Sequence, residues 1–118
     1  MYRRIPNFGT FYDYANGLVD VSLFVPRLKD AGVLSAYLSR DDAYASLELP
    51  RHRGYGICVL DIARMRDLAG DQVGVEFAPT GAAFGASHAK IHGCTDEGVR
   101  DILSLIAEVE LAPDKTLA

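Results

Sequence analysis

Two of the chain's three histidines flank a lysine in the stretch Ser87-His88-Ala89-Lys90-Ile91-His92-Gly93. Extended, this stretch presents His88, Lys90 and His92 on one face, with Ala89 and Ile91 on the other. Four residues at ~3.3 Å each set the two histidines roughly 13 Å apart. Ligand bonds to one ion are only ~2 Å long, so a straight strand cannot bring both onto a single metal. What remains is the polar face of a sheet or, for His88, a place in the wall of a small-molecule pocket. Nucleophilic chemistry finds less support. No Gly-x-Ser-x-Gly elbow is present, and Cys58, in the apolar run Ile-Cys-Val-Leu, reads as a buried small hydrophobe. No paired catalytic carboxylates stand out either, since Asp41-Asp42 is explained as the start of a helix. Neither glycine-rich phosphate signature, GxGxxG or GxxxxGK[ST], occurs at a strand-to-helix junction. Basic residues gather at Arg51-His52-Arg53 and at Arg3-Arg4.

The elements that must position these residues follow from patterning and punctuation. Tyr2 to Ile5 predicts a short strand ended by Pro6. Residues 7–17 mix Gly, Asn and aromatics, which predicts an aromatic-rich loop that packs down, the favoured case, or meets a ligand. Leu18 to Val25 and Val33 to Leu38 are β-branched and apolar, and each predicts a strand. Ser39 is a good N-cap for a short helix over Asp41 to Leu49, stopped by Pro50. Tyr55 to Leu60 predicts a buried strand. Asp61 then caps a helix closed by Gly70, with Ile62, Met65 and Leu68 recurring every three residues. Val73 to Phe77 and Ser87 to His92 predict two more strands. Thr95 is the expected N-cap of a longer helix carrying Val99, Ile102, Leu103, Ile106 and Val109, with a frayed tail after Pro113. Strands outnumber helices without a regular βαβ repeat. The expectation is one α+β domain over residues 1–118, a small mixed and mostly antiparallel sheet flanked by two short helices and one longer C-terminal helix.

Within that order, the segment Leu-Ser-Ala-Tyr-Leu-Ser-Arg-Asp-Asp-Ala-Tyr-Ala-Ser-Leu-Glu (34–48) runs strand, Tyr37, Ser39, capped helix, Glu48. A Tyr2-Arg3 pair opens the chain, and the apolar strand Tyr-Gly-Ile-Cys-Val-Leu-Asp-Ile follows. Over residues 1–62 this resembles the RES-domain proteins, a toxin family with an ADP-ribosyltransferase-like fold. The resemblance implies NAD as substrate. In it Arg3 binds the cofactor's phosphates through its guanidinium fork. Tyr37 stacks on the nicotinamide or its ribose, and Ser39 positions the ribose. Glu48 stabilises the oxocarbenium-like charge as nicotinamide leaves. The family's Gly-Gly-Arg-Trp-Asn block is missing: residues 27–33 read Arg-Leu-Lys-Asp-Ala-Gly-Val, with Arg27 as the one stand-in, and the chain has no Trp.

Composition bounds the alternatives. Twelve Lys and Arg against sixteen Asp and Glu leave a net charge of −4, which argues against nucleic acid as the main partner. No apolar run approaches the ~20 residues of a membrane span, and no signal segment follows the N-terminal arginines. These features, with only two cysteines, predict a cytoplasmic protein without a disulfide framework or a metal. The resemblance implies an NAD-hydrolysing or ADP-ribosyl-transferring toxin or effector. The competing expectation is a non-catalytic interaction module with a protein partner: an accessory subunit, an antitoxin or an immunity-type protein.

Overall fold

A computed structural model describes all residues 1–118. In chain order the strands are β1 (Tyr2–Ile5), β2 (Tyr12–Asp13), β3 (Leu18–Val19), β4 (Leu34–Tyr37), β5 (Gly56–Val59), β6 (Gly74–Phe77), β7 (His88–His92) and β8 (Glu108–Leu111). The α-helices are α1 (Arg40–Ser46), α2 (Ile62–Ala69) and α3 (Glu97–Ile106). Six strands form one sheet in the order β6-β7-β4-β1-β5-β8, with every pairing antiparallel. β2 and β3 make a separate two-stranded ribbon. The α+β architecture expected from the sequence is the architecture observed.

Alternation along the strands gives the sheet two different faces. Arg3 and Ile5 of β1 lie on the same side as Leu34, Ala36, Cys58 and Ile91. That side carries the main core, where α2 and α3 pack through Met65, Val99, Leu103 and Ile106. Tyr2 and Arg4 point the other way, with Tyr37 and Ile57. There α1 docks through the fully buried Ala43. Burying one large side chain such as Leu103 or Phe24 contributes about 1.5–3 kcal/mol, so the α2–α3 face is the main source of stability.

Five expectations from the sequence are corrected. The predicted strand Leu18–Val25 survives only as β3, because Asp20 accepts a hydrogen bond from the Ser22 amide and turns the chain into a 3-10 helix, Val21–Phe24. Its residues Leu23 and Phe24 are buried in the core instead of alternating along a strand. The N-cap of α3 is Asp96, whose carboxylate accepts from the Val99 amide, and not Thr95. Val109 belongs to the edge strand β8, since Ala107 turns extended and ends α3 at Ile106. The tail is held, not frayed: the Asp114 amide donates to the Gly54 carbonyl at 2.7 Å, and a short 3-10 turn follows over Lys115–Leu117. The α1 boundary also moves, to Arg40–Ser46, with Ser39 capping it as its type predicts.

Candidate functional site

β1 and β4 meet at a single paired position, Tyr2 with Tyr37, whereas β1 pairs with β5 over four. Beyond Tyr37 the two strands splay, and the middle of the sheet splits. Backbone groups exposed by such a split need partners, and Arg3 supplies them. Its Nη1 donates to the Ser35 carbonyl at 2.6 Å, and its Nε and Nη2 donate to the Leu23 carbonyl at 3.2 and 2.9 Å. The guanidinium thus ties β1 to β4 and to the 3-10 helix. Burial pushes its pKa down to about 10, with Cys58 and Cys94 nearby acting in the opposite direction.

The split opens as a cleft of about 330 Å³. Arg3 is in its lining, together with Arg4, Tyr37, His52, Tyr55 and Phe8. Arg4 reaches across from the other face of β1. Its Nη1 donates to the Tyr37 hydroxyl at 3.0 Å, and its guanidinium carbon stands 5.6 Å from the centre of that ring. Arg4 has five N–H donors, and this is its one side-chain hydrogen bond, so donors remain for a ligand. Arg27 lies at the same cleft but is occupied by Asp30, at 2.8 Å. Phe8 packs edge-on against Phe11 and Tyr55, with ring centres 6.1 and 5.9 Å apart.

His52 is buried, and local structure sets its orientation. Pro50 starts a short 3-10 turn, Pro50–His52, that swings the ring beneath α1. Nδ1 pairs with the Ser46 carbonyl at 2.8 Å, so Nδ1 carries the proton and Nε2 is an acceptor. Nε2 has no partner within the protein and is not fully buried, and His52 is among the residues that line the cleft. Burial lowers the His52 pKa; the bond to Ser46 works against this, and the charges of Arg4 and Arg51 reinforce it. The cleft therefore offers cation donors, a neutral imidazole acceptor, a phenol and exposed aromatic surface.

The residues singled out from the sequence fall in different places. Arg3 and Tyr37 line the cleft together. Glu48 is exposed just past α1 and is not among the lining residues. Ser39 is used in capping α1, and its amide donates to the Ser87 hydroxyl at 3.0 Å. His88 sits behind Tyr37, ring centres 5.7 Å apart, with Nδ1 paired to the Ala78 carbonyl at 2.8 Å. His88, Lys90 and His92 do share a face, as their spacing predicts, and His92 pairs with Glu76 at 2.7 Å. No three His, Cys, Asp or Glu side chains converge anywhere. Both thiols are buried and pushed up to about 11, which keeps them protonated at neutral pH.

Arg4 and His52 are the lining residues that a role-by-role reading of the sequence passes over. Arg4 looks equivalent to Arg3 until strand alternation sends the two to opposite faces. His52 sits in a basic tripeptide that reads as a solvated loop. No family model, curated protein or solved structure matches the chain. No helix is long and apolar enough to cross a membrane.

Proposed function

We propose that the protein binds a nucleotide of the NAD or ADP-ribose type in the split between β1 and β4. The observation that carries this reading is the meeting of Arg4, with unused donors, and the exposed Phe8 ring in one cleft of about 330 Å³. Arginine forks suit phosphate oxygens, aromatic faces suit a base or nicotinamide ring, and the volume lies in the range of small-molecule sites. His52 Nε2 is placed to accept from a ribose hydroxyl, and the Tyr37 hydroxyl retains its own proton to donate.

The resemblance to the RES-domain toxins extends this to chemistry, NAD hydrolysis or ADP-ribosyl transfer in a bacterial cytoplasm. Binding is the better supported half. Glu48, the carboxylate that would steady the oxocarbenium charge, lies outside the cleft, and the one acidic side chain in the lining, Asp30, is paired with Arg27. Isothermal titration with NAD and ADP-ribose tests the reading. Binding that disappears in Arg4→Ala and persists in Glu48→Gln supports a nucleotide site; no heat with either ligand removes it.

The non-catalytic alternative has its own observation. β6 is a sheet edge, and Phe77 on it is 61% exposed. A protein partner adding a strand there would bury that ring. Loss of such a partner in Phe77→Glu, with nucleotide binding absent from the parent, is the result that favours it.

A further inference from the structure

The six-stranded sheet ends in two edges, β6 and β8, and they differ. β8 carries two carboxylates, Glu108 and Glu110, and charges along an edge discourage a further strand. β6 carries one, Glu76, which is already paired with His92 at 2.7 Å. Its last residue, Phe77, leaves a large ring in water on the core side of the sheet.

The register fixes which backbone groups of β6 are free. The Ala78 amide donates to the His88 carbonyl at 2.8 Å, in line with the pairing of Glu76 with Lys90 and of Gly74 with His92. Antiparallel neighbours alternate between bonded and non-bonded pairs. Gly74 and Glu76 therefore bond to β7, and Val75 and Phe77 turn their N–H and C=O groups to the open edge. The other side of β7 agrees: the Leu38 amide donates to the Ser87 carbonyl at 2.9 Å, so Ala89 and Ile91 are the residues that bond to β4. Val73 is extended, at φ −118° and ψ 143°, and continues the free row. Its amide and carbonyl take no part in the protein's hydrogen bonds. Val73 and Val75 pack into the core, on the same side of the sheet as the Phe77 ring.

We propose that a second copy of this chain occupies the edge, β6 pairing antiparallel with its own counterpart about a two-fold axis at Val75. Free groups must meet free groups, so the axis has to pass through a residue, and one choice fits. Centred on Val75, that residue faces the partner's Val75, and Phe77 faces the partner's Val73, with every free amide and carbonyl of the row paired. On the opposite face of the sheet Glu76 stands against the partner's Gly74, where no side chain competes. Beyond that glycine lies the partner's His92, the residue type Glu76 already pairs with in its own chain. Centred on Glu76, two carboxylates would be directly opposed, which is destabilising. Centred on Phe77, Val75 would meet Pro79, which has no N–H to give. Centred on Gly74, Phe77 would run against Asp71, which lies in a 3-10 turn. This self-fit favours a second copy over a foreign strand. A strand of this length covers far less than the ~1,600 Å² of a standard interface, so the dimer is weak and reversible. The inference rests on the reading of β6 as a partner's edge and is independent of the nucleotide cleft.

Analytical ultracentrifugation of the full chain, from micromolar to millimolar concentration, tests the inference on the parent and on Phe77→Glu, Gly74→Lys and Gly74→Glu. Phe77 is exposed, and a Cβ at Gly74 meets only the His92 Cβ, at an ordinary 3.8 Å, so all three variants should fold; circular dichroism checks each. The expected result is a reversible monomer–dimer equilibrium in the parent, lost in Phe77→Glu. The two-fold axis uses each Gly74–Glu76 contact twice. Gly74→Lys, which sets an ammonium against the partner's Glu76, should therefore tighten the dimer about 3-fold, and Gly74→Glu should weaken it by a similar factor. Both variants add a side chain at the same place, so opposite effects report the charge opposite and hence the register. A parent that stays monomeric at millimolar concentration overturns the inference and leaves the edge to a different protein. A dimer that survives in a folded Phe77→Glu, or that both Gly74 variants shift the same way, overturns it as well. None of these results touches the nucleotide cleft, whose own titration stands or fails separately.

Discussion

Arg3→Met separates a structural arginine from one kept for a ligand. Methionine retains an apolar stem of similar length and removes the donors. Two effects oppose each other. The guanidinium is costly to bury, as its lowered pKa of about 10 reflects, and replacing a buried charge by a hydrophobe is sometimes neutral or stabilising. Against this, the substitution strands the Leu23 carbonyl, which takes two of the three bonds in a part-buried site. An unsatisfied buried acceptor costs about 1–3 kcal/mol. The Ser35 carbonyl lies on the exposed side and can turn to water, so its loss adds little. The stranded carbonyl wins, for a net loss of about 2 kcal/mol. For a domain of this size about 1 kcal/mol moves Tm by ~4 °C, so Tm should fall by about 8 °C. Thermal unfolding followed by circular dichroism measures it, with Arg4→Met as the control that shifts less. A Tm unchanged within about 2 °C, or raised, would refute the view that Arg3 ties the split sheet together.

Three further outcomes follow from the same geometry. His52 is held neutral, with its folded pKa below the unfolded value; between the two the unfolded state binds the extra proton, so stability is complete above about 6.5 and declines as pH falls below it. His52→Gln should flatten that part of the stability–pH curve in urea titrations, and an unchanged slope contradicts the assignment. Gly54→Ala introduces a side chain at φ +81°, 2.8 Å from the Leu117 Cβ and 2.9 Å from the Asp114 carbonyl, so it should cost about 2 kcal/mol and release the tail to proteolysis. A variant as protease-resistant as the parent argues that the tail is not held there. Glu48→Gln, exposed and outside the cleft, should leave Tm and nucleotide affinity as they are; a large drop in turnover or affinity would restore the role that the family resemblance implies.

What could be read from the sequence was what local chemistry decides. The Asp61 cap, the three-residue recurrence and the closing Gly70 locate α2 as observed. The period-two face of β7 is likewise where its spacing put it. Residues 18–25 misled because an apolar run is equally at home in a buried strand and in a 3-10 turn. One side-chain hydrogen bond at Asp20 decided between them. β8 was masked because Val109 falls on the helical spacing of α3, with neither Gly nor Pro at Ala107 to mark the stop. The alternation Glu-Val-Glu-Leu was nevertheless there to be read. The cleft was half legible. Tyr37 and Arg3 were singled out, but the partnership of Arg4 with Tyr37 and of His52 with Ser46 spans strands and turns that only the assembled sheet brings together. The anchoring of the tail through Asn7 depends on a contact over 107 positions, which no local pattern reports.

The most direct test of the nucleotide site is an amide-resolved NMR titration of the protein with ADP-ribose. A nucleotide in the split between β1 and β4 should give saturable shifts confined to residues 3–11, 25–37 and 52–55. Shifts centred instead on the open face of Glu76, Lys90 and His92, or no shifts at all, would contradict it.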